Sequence, residues 1–194
     1  MWVLAAILRG MSWLGIKIEL FTKVREGETY VEIAQPNEAY EFGLLTATDV
    51  EDLTRLDPGE DRVKLITWFR EGKLCYGIRD DSRLIAKMWC TFNDPNLPSK
   101  LPKFAADEVY LFFAYVDPEY RGRGLAPLMR TAVYGSLRAM GRSKFYSYSR
   151  YFNTGARRFK SKLGAREESL IMHVRLFGKW SRNLTFRWCD WATK

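Results

Sequence analysis

The spacing of hydrophobic residues divides the chain into short strand-like runs and four helix-like segments. Apolar residues at helical spacing predict helices over 48–56, 61–71 and about 124–140, and a shorter helix after 153. Apolar runs bounded by turn residues predict strands over 17–24, 29–33, 41–47, 74–78, 84–92, 108–116, 144–150 and 170–177. This succession of elements predicts an α+β fold built around a mixed sheet.

The run Glu108–Val116 is nearly continuous in apolar residues, which favours a central strand covered on both faces. Asp117 and Pro118 end it, and a glycine-rich stretch leads into the helix that begins near Gly124. From Leu125 onward, apolar side chains recur at i, i+3, i+4 and i+7. A buried strand, a glycine-rich loop and an amphipathic helix therefore follow one another directly.

This loop has the backbone chemistry of an anion site. N–H groups at a helix N-terminus lack intrahelical acceptors and carry partial positive charge. Gly122 and Gly124 allow unusual backbone angles and the close approach of a ligand, and Arg121 and Arg123 add positive charge. The spacing is not GxxxxGK[ST], which excludes a P-loop, and not GxGxxG, which disfavours a dinucleotide site. The sequence therefore predicts a phosphate-binding turn.

Three segments of the chain resemble the GNAT family of N-acetyltransferases. Arg121-Gly-Arg-Gly124-Leu-Ala126 resembles the family signature [RQ]-x-x-G-x-[GA], and the preceding residues 116–120 resemble its usual lead-in. Asn153-Thr-Gly-Ala156, followed by Leu163-Gly164-Ala165, resembles the family's second cofactor segment. The resemblance covers about 40–177. It implies a GNAT-like acyl-CoA N-acyltransferase fold, with a mixed central β-sheet flanked by helices, and transfer of an acetyl group from acetyl-CoA to an amine.

The resemblance also implies which residues bind coenzyme A. Pantetheine would lie where the strand end at Tyr115 and Val116 splays from the strand 144–150, and an N–H near Val116 would polarise the thioester carbonyl. Asn153 would contact pantetheine or the thiol region, a role compatible with capping the next helix. The pyrophosphate would be held by the backbone amides of the loop, namely Arg121, Gly122, Arg123, Gly124, Leu125 and Ala126.

Two departures from the family pattern concern the catalytic residues. Family members often carry a tyrosine that protonates the departing thiolate, and this chain has Lys160 there, which could equally be a solvated helix residue. Some members carry a glutamate base on the central strand, where this chain has Tyr110, with Glu108 two residues earlier on the same face. Tyr148 is a further candidate proton donor. Direct attack by a bound amine in a ternary complex needs no dedicated base.

Net charge and composition exclude few classes of binding partner. The net charge of +8 attracts polyanions in general, but no run of five or six like charges selects one. Three cysteines without CxxC spacing and one histidine, His173, disfavour a disulfide framework or a metal site, so we expect no metal and a cytoplasmic setting. The Arg/Tyr-rich run 142–158 leaves a nucleic-acid-binding module as an alternative, although no binding motif is present and no nucleic acid is expected.

The two ends of the chain are expected to lie outside the main domain. An extension, 1–38, would pack on or beside a domain spanning 39–178, and a Trp- and Arg-rich tail would occupy 179–194. The apolar stretch 1–16 is too short to span a membrane, so either packing on the domain or peripheral contact with a membrane or partner stays open.

The acceptor is expected to be an amine on a small molecule, a sugar or a protein. The helical region 48–71 would suit a cationic amine because it is acidic, although helix caps and solvated faces explain the same residues: Asp49, Glu51, Asp52, Asp57, Glu60 and Asp61. A GNAT-fold protein that binds acyl-CoA without catalysis, or that transfers a longer acyl chain, is the alternative function.

Overall fold

The structure, a computed structural model, describes residues 15–27, 40–93 and 105–187. The predicted strand 29–33 and most of the predicted loop 93–103 lie outside the described residues. By their contacts, the residues form two compact units. We call the described residues 40–93 with 105–145 the larger unit, and 15–27 with 146–187 the smaller unit.

The described residues form eight strands and four α-helices. The strands are β1 Ile16–Glu26, β2 Tyr40–Leu45, β3 Leu74–Asp80, β4 Arg83–Thr91, β5 Glu108–Val116, β6 Lys144–Arg150, β7 Arg166–Leu176 and β8 Trp180–Arg187. The helices are α1 Val50–Leu56, α2 Arg62–Arg70, α3 Leu125–Ala139 and α4 Thr154–Lys162. The predicted helices and most predicted strands are confirmed to within a few residues.

Strands β2, β3, β4 and β5 of the larger unit are neighbours in that order, each antiparallel to the next. Every residue of β4 after Arg83 is buried, because helices cover both faces of this part of the sheet. Met129 and Val133 of α3 pack with Leu111 in one core cluster. Leu53 of α1 packs on the opposite side in a second cluster. These two clusters position the β5–α3 connection.

The helix starts of the larger unit follow local capping chemistry. The carboxylate of Asp61 accepts a hydrogen bond from the Val63 amide at 2.8 Å and begins α2, as the sequence indicates. The sequence predicts that the preceding helix begins at Thr48. Here Thr46 and Asp49 instead form a capping box around a short 3-10 turn that leads into α1. The Asp49 carboxylate accepts from the Thr46 amide, so it makes no cap bond to α1.

The strands of the smaller unit come from both ends of the chain. β7 pairs antiparallel with β1 on one side and with β8 on the other. The described part of the predicted extension is thus a full-length strand partner of β7, from Ile16 opposite Leu176 to Arg25 opposite Arg166. The predicted tail contributes β8. The sequence carries no clear signal for β8, because the tryptophans and arginines of the tail show neither helical nor strand spacing clearly.

A cavity-forming substitution tests the packing of α2. Leu65 is fully buried, whereas Val63 on the same helix is 70% exposed. We expect Leu65→Ala to lower the free energy of unfolding by about 2–5 kcal/mol, because a buried leucine leaves a cavity. The matched Val63→Ala change should cost less than about 1 kcal/mol. Urea unfolding followed by circular dichroism measures both, and equal losses would contradict this packing.

Candidate functional site

The connection from β5 to α3 is an exposed loop shaped by two glycines. Asp117 accepts from the Glu119 amide at 3.0 Å and starts a short 3-10 turn after Val116. Gly122 has φ 81° and Gly124 has φ 77°, both in the left-handed region that favours glycine. Residues 121–124 are all exposed, and Leu125 then buries its side chain as the first residue of α3. The sequence signal for this loop was its two glycines.

The backbone N–H groups of this loop are available to a ligand. The Arg121 amide donates to the Pro118 carbonyl at 3.3 Å, and the next amide bonded to a carbonyl within the described chain is that of Leu128, which donates to Gly124 at 3.1 Å. The amides of 122–126 therefore lack a backbone acceptor in the part of the chain described. A Cβ built on Gly122 or Gly124 meets nothing within 4 Å. The loop is open to an anion at the N-terminus of a 15-residue helix.

The charges around the loop leave it positive. Arg83 bonds the carboxylates of Asp117 and Glu119, each at 2.8 Å, so the acidic residues before the loop are already paired. The guanidinium of Arg123 lies 4.8 Å from the ring centroid of Tyr120. The guanidinium of Arg121 lies 5.6 Å from that of Tyr115, and its Nε donates to the Val116 carbonyl at 3.2 Å. Neither arginine has a carboxylate partner among the described residues, so both charges remain for a ligand.

The second half of β5 is interrupted by a bulge. Tyr115 pairs with Lys87 and Phe112 pairs with Trp89, so Phe113 and Ala114 together lie opposite Met88. Phe113 has φ 46°, a left-handed conformation that is strained for this residue, and its side chain is 54% exposed. The first half of β5 is buried as predicted, whereas residues 113 and 114 are exposed. The sequence carries no signal for this bulge, since phenylalanine rarely adopts a left-handed backbone conformation.

The two candidate catalytic residues of the larger unit lie in the first half of β5. Glu108 accepts from the Ala105 amide at 2.8 Å, and it precedes Val116 by eight residues, roughly 25 Å of extended strand. Tyr110 stacks on Phe112 with ring centroids 5.3 Å apart, and burial raises the pKa of its hydroxyl. Their catalytic roles stay predictions.

Lys160 lies in a buried polar cluster of the smaller unit. Its ammonium donates to the hydroxyls of Ser147 at 2.6 Å and Ser149 at 2.8 Å, and lies 3.6 Å from the carboxylate of Glu26. Ser147 also donates to Glu26. Lys160 is 5% exposed, and its ammonium contacts side chains of strands β6 and β1. It is therefore not a solvated helix residue, which was the alternative. Its role as a proton donor stays a prediction.

Tyr148 and Asn153 also belong to the smaller unit. Tyr148 is half-buried in β6. Asn153 is exposed, and its side-chain oxygen accepts from the Ala156 amide at 3.1 Å, so it caps α4. This cap is the local reason for a helix here, and it leaves the side-chain NH₂ of Asn153 for a ligand.

A second buried charge cluster, in the larger unit, has one carboxylate oxygen unpaired. Lys87 is fully buried, with its ammonium 2.5 Å from Glu60 and 3.2 Å from Asp57. The other oxygen of Glu60 is buried and has no hydrogen-bond partner, and the Glu60 side chain as a whole is only 6% exposed. Lys87 is the cross-strand partner of Tyr115, next to the bulge. Sequence reasoning singled out both acids but not the lysine, which sits in an apolar strand.

Neither a membrane span nor a metal cluster is found in the described part of the chain. No helix there is long and apolar enough to cross a bilayer. No group of three or more His, Cys, Asp or Glu side chains among those residues is arranged to hold a metal ion.

Comparison with solved structures identifies the fold. A putative GNAT-family acetyltransferase from Novosphingobium aromaticivorans matches with a TM-score of 0.60 and 24% identity, covering 84% of this chain and 66% of that one. A Drosophila protein matches with a TM-score of 0.60 and 16% identity, covering 91% and 58%. AAC(6')-Iy, solved with the bisubstrate analogue CoA-S-monomethyl-acetylneamine, matches with a TM-score of 0.53 and 18% identity, covering 64% and 89%.

These matches confirm the expected GNAT-like fold, a mixed β-sheet flanked by helices. The chain spans 66% and 58% of the length of the Novosphingobium and Drosophila proteins. No curated protein matches the sequence. A sequence model of the acetyltransferase (GNAT) family matches residues 37–165, which include β5, the exposed loop and all the segments that suggested the resemblance. The chain belongs to the GNAT family of acetyltransferases.

Proposed function

We propose that this protein transfers an acetyl group from acetyl-CoA to a primary amine by direct attack in a ternary complex. The observation that carries the proposal is the exposed loop at 121–124, whose following amides lack backbone acceptors at the start of α3. Anion binding of this kind fits the diphosphate of coenzyme A. The AAC(6')-Iy complex, which contains a coenzyme A-linked analogue, supports the same assignment for a shared fold.

The loop residues fit the diphosphate chemically. The amides of Gly122, Arg123 and Gly124, with those of the first helical residues Leu125 and Ala126, would donate to phosphate oxygens. The Arg121 amide already donates to Pro118, so Arg121 would contribute its side-chain charge instead. Both glycines leave the space above the backbone empty, so phosphate oxygens can approach the amides closely.

The bulge in β5 would serve the acyl group. When bound, acetyl-CoA supplies an acetyl group activated as a thioester. A bulge removes main-chain groups from the strand ladder, so the N–H groups at Phe113 and Ala114 are candidates to donate to a carbonyl oxygen. Strain at Phe113 is consistent with a backbone held for function rather than for packing.

The two acids beside Lys87 would bind the acceptor. Asp57 and Glu60 place two carboxylates around the single ammonium of Lys87, which leaves one negative charge in excess. The unpaired oxygen of Glu60 is a buried acceptor that a cationic amine would satisfy. We therefore propose a cationic primary amine as the acceptor class, and Glu60 as the residue that positions it.

Transfer would not pass through Cys75 or Cys90, the two cysteines in the described part of the chain. Cys75 and Cys90 are both buried, and burial raises the pKa of the Cys90 thiol to about 12 and that of Cys75 well above its usual value. At pH 8 the Cys90 thiol would therefore be protonated. The amine therefore attacks the thioester carbonyl directly, once its ammonium form has lost a proton to solvent. The carbon–nitrogen bond forms, the carbon–sulfur bond breaks, and the proton lost by the attacking nitrogen is taken up by the departing thiolate to give coenzyme A.

The loop and the activity are tested together by two matched glycine variants. Gly124 and Gly141 both have φ 77° and open space around the Cβ position, at opposite ends of α3. Alanine at either position should cost about 1 kcal/mol of stability. Only Gly124→Ala should also weaken coenzyme A binding and raise KM for acetyl-CoA, by about tenfold, because a methyl group then occupies the diphosphate site.

Calorimetry with coenzyme A and thiol release from acetyl-CoA across a panel of small amines, amino sugars and peptides measure these effects. Folded wild-type protein that takes up no coenzyme A would overturn the proposal. Turnover with long-chain acyl-CoA but not acetyl-CoA would overturn the acetyl specificity.

Substitution of Glu60 tests the acceptor assignment. We expect Glu60→Gln to raise KM for the amine about tenfold while KM for acetyl-CoA changes less than twofold, since a charge-assisted hydrogen bond is lost. Glu51→Gln is the control, because Glu51 is an exposed carboxylate that pairs with Arg62. Steady-state kinetics with each substrate varied separately measures both constants. Unchanged amine KM in the Glu60 variant would reject this role.

Absence of an acyl-enzyme is tested by labelling. We expect no covalent acetyl group on the protein after incubation with labelled acetyl-CoA alone at pH 8, because both described thiols are buried and protonated. Thiol reagents should likewise modify Cys75 and Cys90 only after denaturation. Peptide mass spectrometry measures both results. An acetylated Cys75 or Cys90 peptide from native protein would contradict direct transfer.

A further inference from the structure

A basic cavity of about 650 Å³ lies in the smaller unit, beside α4. Its lining includes four cationic side chains of this helix, Arg157, Arg158, Lys160 and Lys162, and a single carboxylate, that of Glu167. A volume of this size is typical of small-molecule sites. None of these residues belongs to the loop at 121–126, but Thr154 and Ala165 lie in the stretches that resemble the family's second cofactor segment. A test of the cavity therefore needs coenzyme A to be bound, so that an independent site is distinguished from the coenzyme site.

Two of the four cations are already balanced. Arg157 forms two hydrogen bonds with the Glu167 carboxylate, at 2.5 Å and 2.8 Å, and also donates to the Tyr151 carbonyl at 3.1 Å. Lys160 is neutralised by the buried carboxylate of Glu26. These pairs fix one wall of the cavity in place, so it needs little reorganisation when a ligand binds.

The other two cations have no anionic partner among the residues described. Arg158 and Lys162 are exposed and four residues apart, so they lie on the same side of α4. Two like charges at this spacing repel each other in the absence of an anion. The hydroxyl-bearing residues Thr154 and Ser161 line the same cavity and add hydrogen-bonding groups.

Two residues of the cavity lining are apolar. Val24 is 2% exposed and lines the cavity from β1, at a break in register between Lys23 and Val24 that marks a bulge. Ala165 adds a second small apolar surface. A ligand that satisfies both the cationic and the apolar residues therefore needs a doubly charged anionic group and an apolar or flat body.

We propose that this cavity binds a small molecule carrying a phosphate monoester. Arg158 and Lys162 bind the dianionic phosphate, with the hydroxyls of Thr154 and Ser161 as further donors. The body of the ligand lies against Val24 and Ala165. A molecule of mononucleotide size fits the volume.

Titration calorimetry in the presence of saturating coenzyme A tests this proposal, with adenosine monophosphate, ribose 5-phosphate and inorganic phosphate as probes. We expect adenosine monophosphate to bind more tightly than the other two, because only it can use the apolar residues. Arg158→Gln/Lys162→Gln should weaken that binding about tenfold or more. The control, Arg175→Gln/Lys179→Gln, removes two exposed cations of the same unit and should change it less than twofold.

Three results would overturn the proposal. If folded wild-type protein binds none of the probes, the site does not exist. If the control variant weakens binding of adenosine monophosphate as much as the Arg158/Lys162 variant does, the effect comes from the overall charge of the protein. Loss of adenosine monophosphate binding whenever coenzyme A is present would assign the cavity to the coenzyme instead. Circular dichroism of every variant confirms folding, and coenzyme A binding by Gly124→Ala reports on the proposed function independently.

Discussion

The site depends on a run of backbone amides that the chain does not use for its own folding. Residues 122–126 follow a strand and begin a helix, where the first N–H groups have no carbonyl acceptor within the helix. Left-handed glycines at 122 and 124 turn the chain sharply without placing side chains above those donors. The cores on either side of the sheet hold β5 and α3 in place, and residues 121–124 between them stay exposed.

Buried charge is the second constraint on the structure, and the buried lysines of the two units differ in how completely their surroundings are paired. Lys160 meets one carboxylate and two serine hydroxyls, so its charge and donors are satisfied. Lys87 meets two carboxylates, one of which keeps an unpaired oxygen. A cluster whose charges and hydrogen-bonding groups are all paired contributes to the structure. In a cluster with an unpaired acceptor, a ligand that donates a hydrogen bond to that acceptor gains binding free energy.

The sequence predicted the elements where local chemistry was decisive. Asp61 and Asn153 are caps that hydrogen-bond their own helices, and the apolar spacing of α3 reflects a single buried face. It did not predict β8, and it suggested that β5 is covered throughout. The exposed bulge at Phe113 arises because two residues of β5 lie opposite one of β4, which is a property of strand pairing.

By itself the sequence determined the loop that carries the proposed coenzyme site, because left-handed turns and helix starts are specified by residues adjacent in the chain. It also determined the family, through motifs that each occupy a short stretch of the chain, at 116–126 and 153–165. Only the tertiary structure decided which charges are paired. Glu26 and Lys160, or Glu60 and Lys87, are distant in sequence, and burial and hydrogen bonding at such distances depend on how strands and helices pack.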